Sequence, residues 1–357
     1  MTQAISTNQL LAALKAAGEA TRLRVLALLE RGELNVTDLT LILGQSQPRI
    51  SRHLRLLDEA GLIERFREGS FVYCRLAQKE IIGELVNRLI ALLDPRDEVL
   101  CDDRQRAARI KAERIEASQV WFKANAAKWD QIRSLYVAES KVEEAMLEML
   151  HADKAGDPFG LLFDLGTGTG RVLELFADRV EQAIGIDASH SMLEYARSRL
   201  AGKKFEHCQL RQGDLIDIAY RDGLADIVIR HQVLHFLIEP EKAVREAARL
   251  LQPDGQLLIV DFASHNLDFL REEFAHERLG FSDKQMSVWL KRAGLVPKRM
   301  IELAADENMG DEKLMVSLWL AKKSQVETSV TRGSAEVIDM AREPRSKQIK
   351  KLQGNSK

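Results

Sequence analysis

Apolar residues recur at helical spacing through the first hundred positions, and then the period changes. Leu10, Leu11 and Leu14 mark one helical face. Leu23, Val25, Leu26, Leu28 and Leu29 mark a second helix, stopped at Gly32. Asn35 stands where a cap belongs, with Asp38 three residues on in a capping-box arrangement. The helix it opens covers residues 36–43 and ends at Gly44. Ser46 is placed to cap a fourth helix, with Pro48 tolerated in its first turn. There Ile50, Leu54 and Leu57 are spaced four and three, so they form one stripe. Two helices joined by Gly44-Gln45 predict a helix-turn-helix. Residues 63–67 and 71–76 are extended around a Glu68-Gly69-Ser70 turn, which predicts a wing, and a fifth helix covers 78–93.

Residues 102–121 read as a charged helix leading to Trp121, Phe122 and Trp129. From residue 161 strands alternate with helices, which argues for a parallel sheet. Strands are predicted at 161–165, 182–187, 226–232, 296–303 and 314–321, with another ending at Gly213-Asp214. One more, 256–261, follows a turn over 251–255.

A length of 357 residues fits two domains of roughly 100–200 each. Hydrophobic residues at 45% and charged residues at 30% supply cores for both. Three cysteines, Cys74, Cys101 and Cys208, are too few and scattered for a disulfide frame. No C-x-x-C or H-x-E spacing occurs, so no metal site is expected. The start lacks a basic segment followed by an apolar one, and no apolar run approaches the ~18–20 residues of a membrane span. The expected location is the cytoplasm, with no membrane partner.

A net charge of −2 at first argues against a nucleic-acid partner. The charge is unevenly spread, however. Residues 1–101 carry 13 basic and 13 acidic residues, and residues 115–321 carry 25 and 34. Residues 322–357 carry 9 and 4, with few apolar positions, and read as a disordered basic tail.

Burying the stripe of the fourth helix leaves Gln47, Arg49, Ser51, Arg52, His53 and Arg55 on its other faces. Such a helix suits the major groove of a double-stranded DNA operator, where Gln reads adenine and Arg reads guanine. Arg65 and Arg67 on the wing are placed for phosphates or the minor groove. In the second half, Asp164, Gly166, Gly168 and Gly170 form D-x-G-x-G-x-G between a strand and a helix. A nicotinamide fingerprint counted from Gly166 would need its third glycine where Arg171 stands. Asp187 ends the next strand, where an acid can accept both ribose hydroxyls of a nucleoside ligand.

Gly18-Glu-Ala-Thr-Arg-Leu-Arg-Val-Leu-Ala-Leu-Leu-Glu and Ser46-Gln-Pro-Arg-Ile-Ser-Arg-His-Leu-Arg-Leu-Leu resemble the ArsR/SmtB winged-helix regulators across residues 6–93. The resemblance implies an α+β winged helix-turn-helix domain and a homodimer through the first and fifth helices. It also implies a repressor on a palindromic operator, with half-sites about one helical turn apart. Metal-sensing relatives carry Cys-x-Cys after Glu-Leu; Asn35-Val36-Thr37 stands here, so soft-metal sensing at that position loses its thiolates.

The strand and motif series over about residues 120–323 resembles the class I S-adenosylmethionine-dependent methyltransferases. That implies an α/β, Rossmann-like sheet of seven strands, the last antiparallel. It implies a cofactor set of Asp164, Gly166, Thr167, Gly168, Gly170, Asp187, Ala188, Met192, Asp214, Leu215 and His231. The glycine loop would hold the methionine part, Asp187 the ribose, and Asp214 the adenine amino group, with Met192 and Leu215 near the ring.

The resulting layout is a DNA-binding and dimerisation domain over 1–98, a charged helical linker over 99–119, a methyltransferase over 120–323 and the tail over 324–357. A general base is needed only if the acceptor must lose a proton. His231, at the carboxyl end of the 226–232 strand, is the catalytic candidate, and His235 is expected to pack or cap. Asp261, His265 and His276 are candidates for an acceptor pocket. The absence of Asn-Pro-Pro-Tyr disfavours amino-methylation of DNA bases, and a lone Cys208 disfavours arsenite methylation. A small-molecule acceptor is expected. The alternatives are a non-catalytic regulator that senses S-adenosylmethionine or S-adenosylhomocysteine, and an enzyme whose first domain only dimerises it.

Overall fold

The apolar stripe of the fourth helix is buried as a unit, with Ile50, Leu54 and Leu57 each 0% exposed. Around it the first half of the chain folds as α1 (Thr7–Ala17), α2 (Ala20–Leu29), β1 (Leu34–Asn35), α3 (Val36–Leu43), α4 (Gln47–Glu59), β2 (Ile63–Glu68), β3 (Phe71–Leu76), α5 (Glu80–Ala91) and α6 (Glu98–Asn125). This computed structural model describes residues 5–77, 80–126, 129, 137–151, 158–304 and 314–324. Residues 325–357, nearly all of the expected tail, lie outside the described residues, as does Gln78 at the expected start of the fifth helix.

Local chemistry explains most boundaries. Ser6 and Gln9 close a reciprocal capping box on α1. Asn35 caps α3 by accepting from the Asp38 N–H at 2.8 Å. The Asp38 carboxylate accepts from both terminal nitrogens of the Arg114 guanidinium on α6. Ser46 occupies the N-cap of α4 without a side-chain hydrogen bond; its carbonyl accepts from the Ile50 N–H instead. Leu10, Leu11 and Leu14 of α1 are exposed, and Ala13 and Ala17 take the core positions. The antiparallel sheet has the order β1-β3-β2, and the wing turn is Gly69-Ser70.

The expected linker helix forms, but it is tied to the winged helix. Asp103, 1% exposed, accepts two hydrogen bonds from Arg24 of α2 at 2.6 and 2.7 Å, and one from Arg106 at 2.6 Å. The Arg106 Nε donates to the Ile42 carbonyl at 2.6 Å. Two compact units result, the first covering residues 1–118 and, later in the chain, Asn266–Glu273.

The second unit takes up residues 119–265 and 274–357. It contains α7 (Glu139–Met149), β4 (Phe159–Leu165), α8 (Arg171–Phe176), β5 (Val180–Asp187), α9 (His190–Arg199), β6 (Cys208–Gln212), β7 (Ala225–His231), α10 (Pro240–Leu250) and β8 (Leu251–Phe262). After α11 (Phe269–Phe274), most of which joins the first unit, come α12 (Asp283–Arg292), β9 (Leu295–Leu303) and β10 (Val316–Lys323). The seven-stranded sheet has the order β6-β5-β4-β7-β8-β10-β9, with β10 antiparallel to both neighbours. One face buries Phe163, Leu165, Val228 and Ile259 with Trp289 and Trp319.

The expected turn over 251–255 is part of β8. Ala225 pairs with Leu251 and Ile227 with Gln256, so residues 252–255 bulge from the ladder, with Asp254 at φ +65°. Strand order reverses between β4 and β7, so the crevice at their carboxyl ends is where α/β folds place ligands.

Candidate functional site

On the first unit, Gly44 ends α3 at φ +63°, a left-handed cap that lets the chain turn directly into α4. Gln47, Arg49, Arg52 and Arg55 are exposed, while Ser51 and His53 are half-buried. His53 turns its Nδ1 towards Glu19, 3.4 Å away. Burial lowers its pKa from the usual 6.5, Glu19 raises it, and Arg22, Arg49 and Arg52 lower it further. It is therefore a neutral ring near pH 7, held at the start of α2. Arg55 lies 3.7 Å from Glu59 on the same helix. Arg65 and Arg67 are exposed on the wing.

On the second unit, the glycine loop follows β4. The Gly166 and Thr167 N–H groups both donate to the Ile186 carbonyl, at 2.7 and 3.0 Å. Gly166 has φ +89°, and a Cβ there would lie 2.3 Å from a methyl of Val233, so only glycine fits. Asp187 ends β5 and binds the loop to the next turn. Its Oδ2 accepts from the Gly168 N–H and its Oδ1 from the Ser189 N–H, each at 2.8 Å. Burial raises its pKa, against the lowering effect of the Ser189, Gly168 and Ala188 N–H groups. An ionised carboxylate has about four acceptor sites; Gly168 and Ser189 take two and the Ala188 N–H lies beside it, so acceptor capacity remains for a ligand's hydroxyls.

Ala188 is exposed at the same turn, and Asp214 is exposed at the end of β6, accepting from the Ile216 N–H at 3.0 Å. Leu215 and Met192 are buried, Met192 against Ala126 and Trp129. Asp164 is wholly buried on β4 and Thr167 nearly so. The sheet thus brings the glycine loop and the ends of β5 and β6 to one edge.

His231, at the end of β7, is 7% exposed. His235 is buried, and its Nδ1 lies 2.7 Å from Asp261 Oδ1. Asp261 also accepts from the Leu234 and Phe262 N–H groups, at 2.9 and 2.8 Å. The His276 ring packs 4.2 Å from His235, centroid to centroid. Among the described residues no group of His, Cys, Asp and Glu is arranged to hold a metal ion. Burial pushes the Cys74 thiol up to about 12, so it carries no thiolate at neutral pH.

Two site features escape sequence reasoning. Trp129 brings its indole Nε1 to 3.3 Å from where a Gly168 Cβ would stand, roofing the loop. Its ring meets Trp121, Phe122 and Phe236 at 5.5–6.3 Å. The Trp121-Phe122 pair with Trp129 was the available signal. Arg230, fully buried on β7, donates to the Leu215 carbonyl at 2.7 Å and so holds the turn that follows Asp214. A lone arginine inside an apolar strand was its signal.

Residues 19–65 match the family described as bacterial regulatory protein, arsR family, and residues 163–259 match the methyltransferase domain family. The arsenical resistance operon repressor of Escherichia coli is 50% identical over 64 residues, 18% of this chain and 55% of that protein. The uncharacterized methyltransferase YcgJ of Bacillus subtilis is 35% identical over 100 residues, 28% of this chain and 40% of that protein. A crystal structure of YcgJ aligns with 50% of this chain and 97% of its own, at a TM-score of 0.42 and 20% identity. The chain thus spans about half the length of these curated relatives.

Proposed function

With an ArsR-family helix-turn-helix domain and a methyltransferase domain joined in one chain, we propose a DNA-binding repressor whose second unit uses S-adenosylmethionine to methylate a small-molecule acceptor. The observation that carries the reading is that both recognition surfaces are built in the same molecule. α4 offers Gln47, Arg49 and Arg52 to solvent, and Asp187 draws the glycine loop into a cradle. Exposed Leu10, Leu11 and Leu14 on α1, with Leu92 just after α5, supply an apolar face for a second copy of the chain.

The donor set fits S-adenosylmethionine. Asp187 has acceptor sites left for a ribose diol, Gly166 has no room for a side chain, and exposed Asp214 can accept from an adenine amino group. When bound, the cofactor supplies a methyl carbon activated by a sulfonium. The protein's share is alignment and exclusion of water, for which Trp129 stands beside the loop with Phe236 packed against it. His231 is assigned to the acceptor side at the end of β7.

Only ionised Asp187 can accept from both hydroxyls, and burial raises its pKa above the ordinary 3.8. Affinity for S-adenosylmethionine is therefore full above that raised pKa. It falls as pH drops through it, by about tenfold per unit below. Calorimetry across a pH series should place the onset higher than for an ordinary carboxylate. An onset at or below 3.8 would contradict the assignment.

A second reading is sensing without turnover, because the cradle that Asp187 and the glycine loop form for a cofactor needs no acceptor to be occupied. One experiment separates the two. Full-length protein is given labelled S-adenosylmethionine and a metabolite extract. In parallel, its binding to a duplex selected from random DNA is measured with S-adenosylmethionine, with S-adenosylhomocysteine and with neither. A labelled product supports the enzyme. A cofactor-dependent change in DNA affinity without product supports the sensor.

A further inference from the structure

The first compact unit is completed by eight residues that arrive late in the chain, Asn266–Glu273. They grip one face of the wing. Arg271 Nη2 donates to Glu68 Oε1 at 2.7 Å, and Nη1 reaches the Tyr73 hydroxyl at 3.4 Å. The same guanidinium lies 4.9 Å from the Phe71 ring centroid and 6.0 Å from that of Tyr73. Asp268 Oδ1 accepts from the Ser70 N–H at 3.1 Å and from its hydroxyl at 3.2 Å. The last residue of β2, the turn, and the start of β3 are thus all held by two side chains. The Arg271 and Glu68 side chains are only 11% and 9% exposed, so the pair is shielded from solvent and salt.

Strand alternation decides what this grip does. Glu68 pairs with Phe71 and Phe66 with Tyr73, so these four share one face of the hairpin. Arg65 pairs with Cys74 and Arg67 with Val72, so both arginines lie on the opposite face, and both are exposed. The segment therefore holds the hairpin face away from the arginines; on their own face Cys74 and Val72 pack into the domain core, while Arg65 and Arg67, on the edge strand β2, stay exposed. β1 braces β3 only at Tyr73 and Cys74, so the tip from Arg67 to Val72 is a two-stranded ribbon, which is marginally stable by itself.

We propose that Asn266–Glu273 is a positioning element of the DNA-reading wing, with Arg271 its main anchor through Glu68 and Asp268 its second through Ser70. This rests on the reading of α4 and the wing as a DNA surface. DNA recognition then depends on a segment outside the helix-turn-helix sequence.

The test uses full-length protein and a duplex that the wild type selects from a random double-stranded pool. Affinity is followed by fluorescence anisotropy over a range of salt concentrations. Arg271→Met should bind about tenfold more weakly, and its slope of log affinity against log salt should shrink by about 1–2 as Arg65 and Arg67 lose phosphates. Arg271→Lys, which keeps the charge beside Glu68, should recover part of both. General destabilisation would not change the slope of the folded fraction. Should Arg271→Met fail to fold, Asp268→Asn carries the same prediction with a smaller loss, about threefold. Unchanged affinity and slope in variants of a wild type that binds DNA overturn this inference alone. Tighter binding by Asp268→Asn also overturns it, because the segment would then block the wing. A wild type that selects no duplex overturns the DNA reading itself.

Discussion

Asp187→Ala is expected to lower affinity for S-adenosylmethionine by about a hundredfold or more. Each hydrogen bond to a charged acceptor is worth roughly 1.5–3 kcal/mol, and two ribose hydroxyls are at stake. The sum, about 3–6 kcal/mol, corresponds to a factor of at least about a hundred. The same carboxylate holds the Gly168 and Ser189 N–H groups, so its loss also loosens the loop proposed to receive the ligand. Asp187→Asn is not a mild alternative. One of its two positions would be an amide N–H₂ facing a backbone N–H, donor against donor. Two opposing effects act on stability without cofactor: the substitution relieves the cost of a buried charge, but it leaves the Gly168 and Ser189 N–H groups without their acceptor. Calorimetry with the cofactor should show the affinity loss. Unchanged affinity would remove Asp187 from the ribose site.

Features encoded by short spacing were legible in the sequence. The stripe Ile50, Leu54, Leu57 is fully buried, and Gly44 takes the left-handed turn its position predicts. The strand-loop-strand series from Asp164 to Asp187 folds as a βαβ unit. The α1 leucines show where pattern reading stops. Helical spacing reports that a face must be covered but not by what, and Leu10, Leu11 and Leu14 stay outside the core of a single chain. Long-range pairs were likewise silent. His235 meets Asp261 across 26 residues, and Arg271 meets Glu68 across 203. Each partner is an unremarkable polar residue in its own neighbourhood, and only the closed sheet or the completed unit brings it to the other. The linker helix was legible as a charged helix, but its partners were not: Arg114, Asp103 and Arg106 reach Asp38, Arg24 and the Ile42 carbonyl.

The double variant Arg49→Ala, Arg52→Ala should lose operator affinity by about a hundredfold or more, since each bidentate arginine contact to a base is worth roughly 1–3 kcal/mol. Both residues lie on the exposed side of α4, away from the buried stripe. Their removal should leave stability within about 0.5 kcal/mol, as for surface substitutions generally. His53→Ala should cost much less affinity, because that ring is turned to Glu19 and uncharged near neutral pH. Arg55→Ala should fall between, its side chain being close to Glu59. A competition assay with mutated duplexes then separates two kinds of contact. Arginines that read bases lose discrimination at particular positions, whereas arginines on phosphates weaken all sequences alike and reduce the salt slope by about one each. If the double variant weakens all sequences equally, α4 holds the DNA backbone and the base reading must come from elsewhere. If it binds as the wild type does, α4 is not a recognition helix, and the arginines on its open face are an ordinary solvated surface.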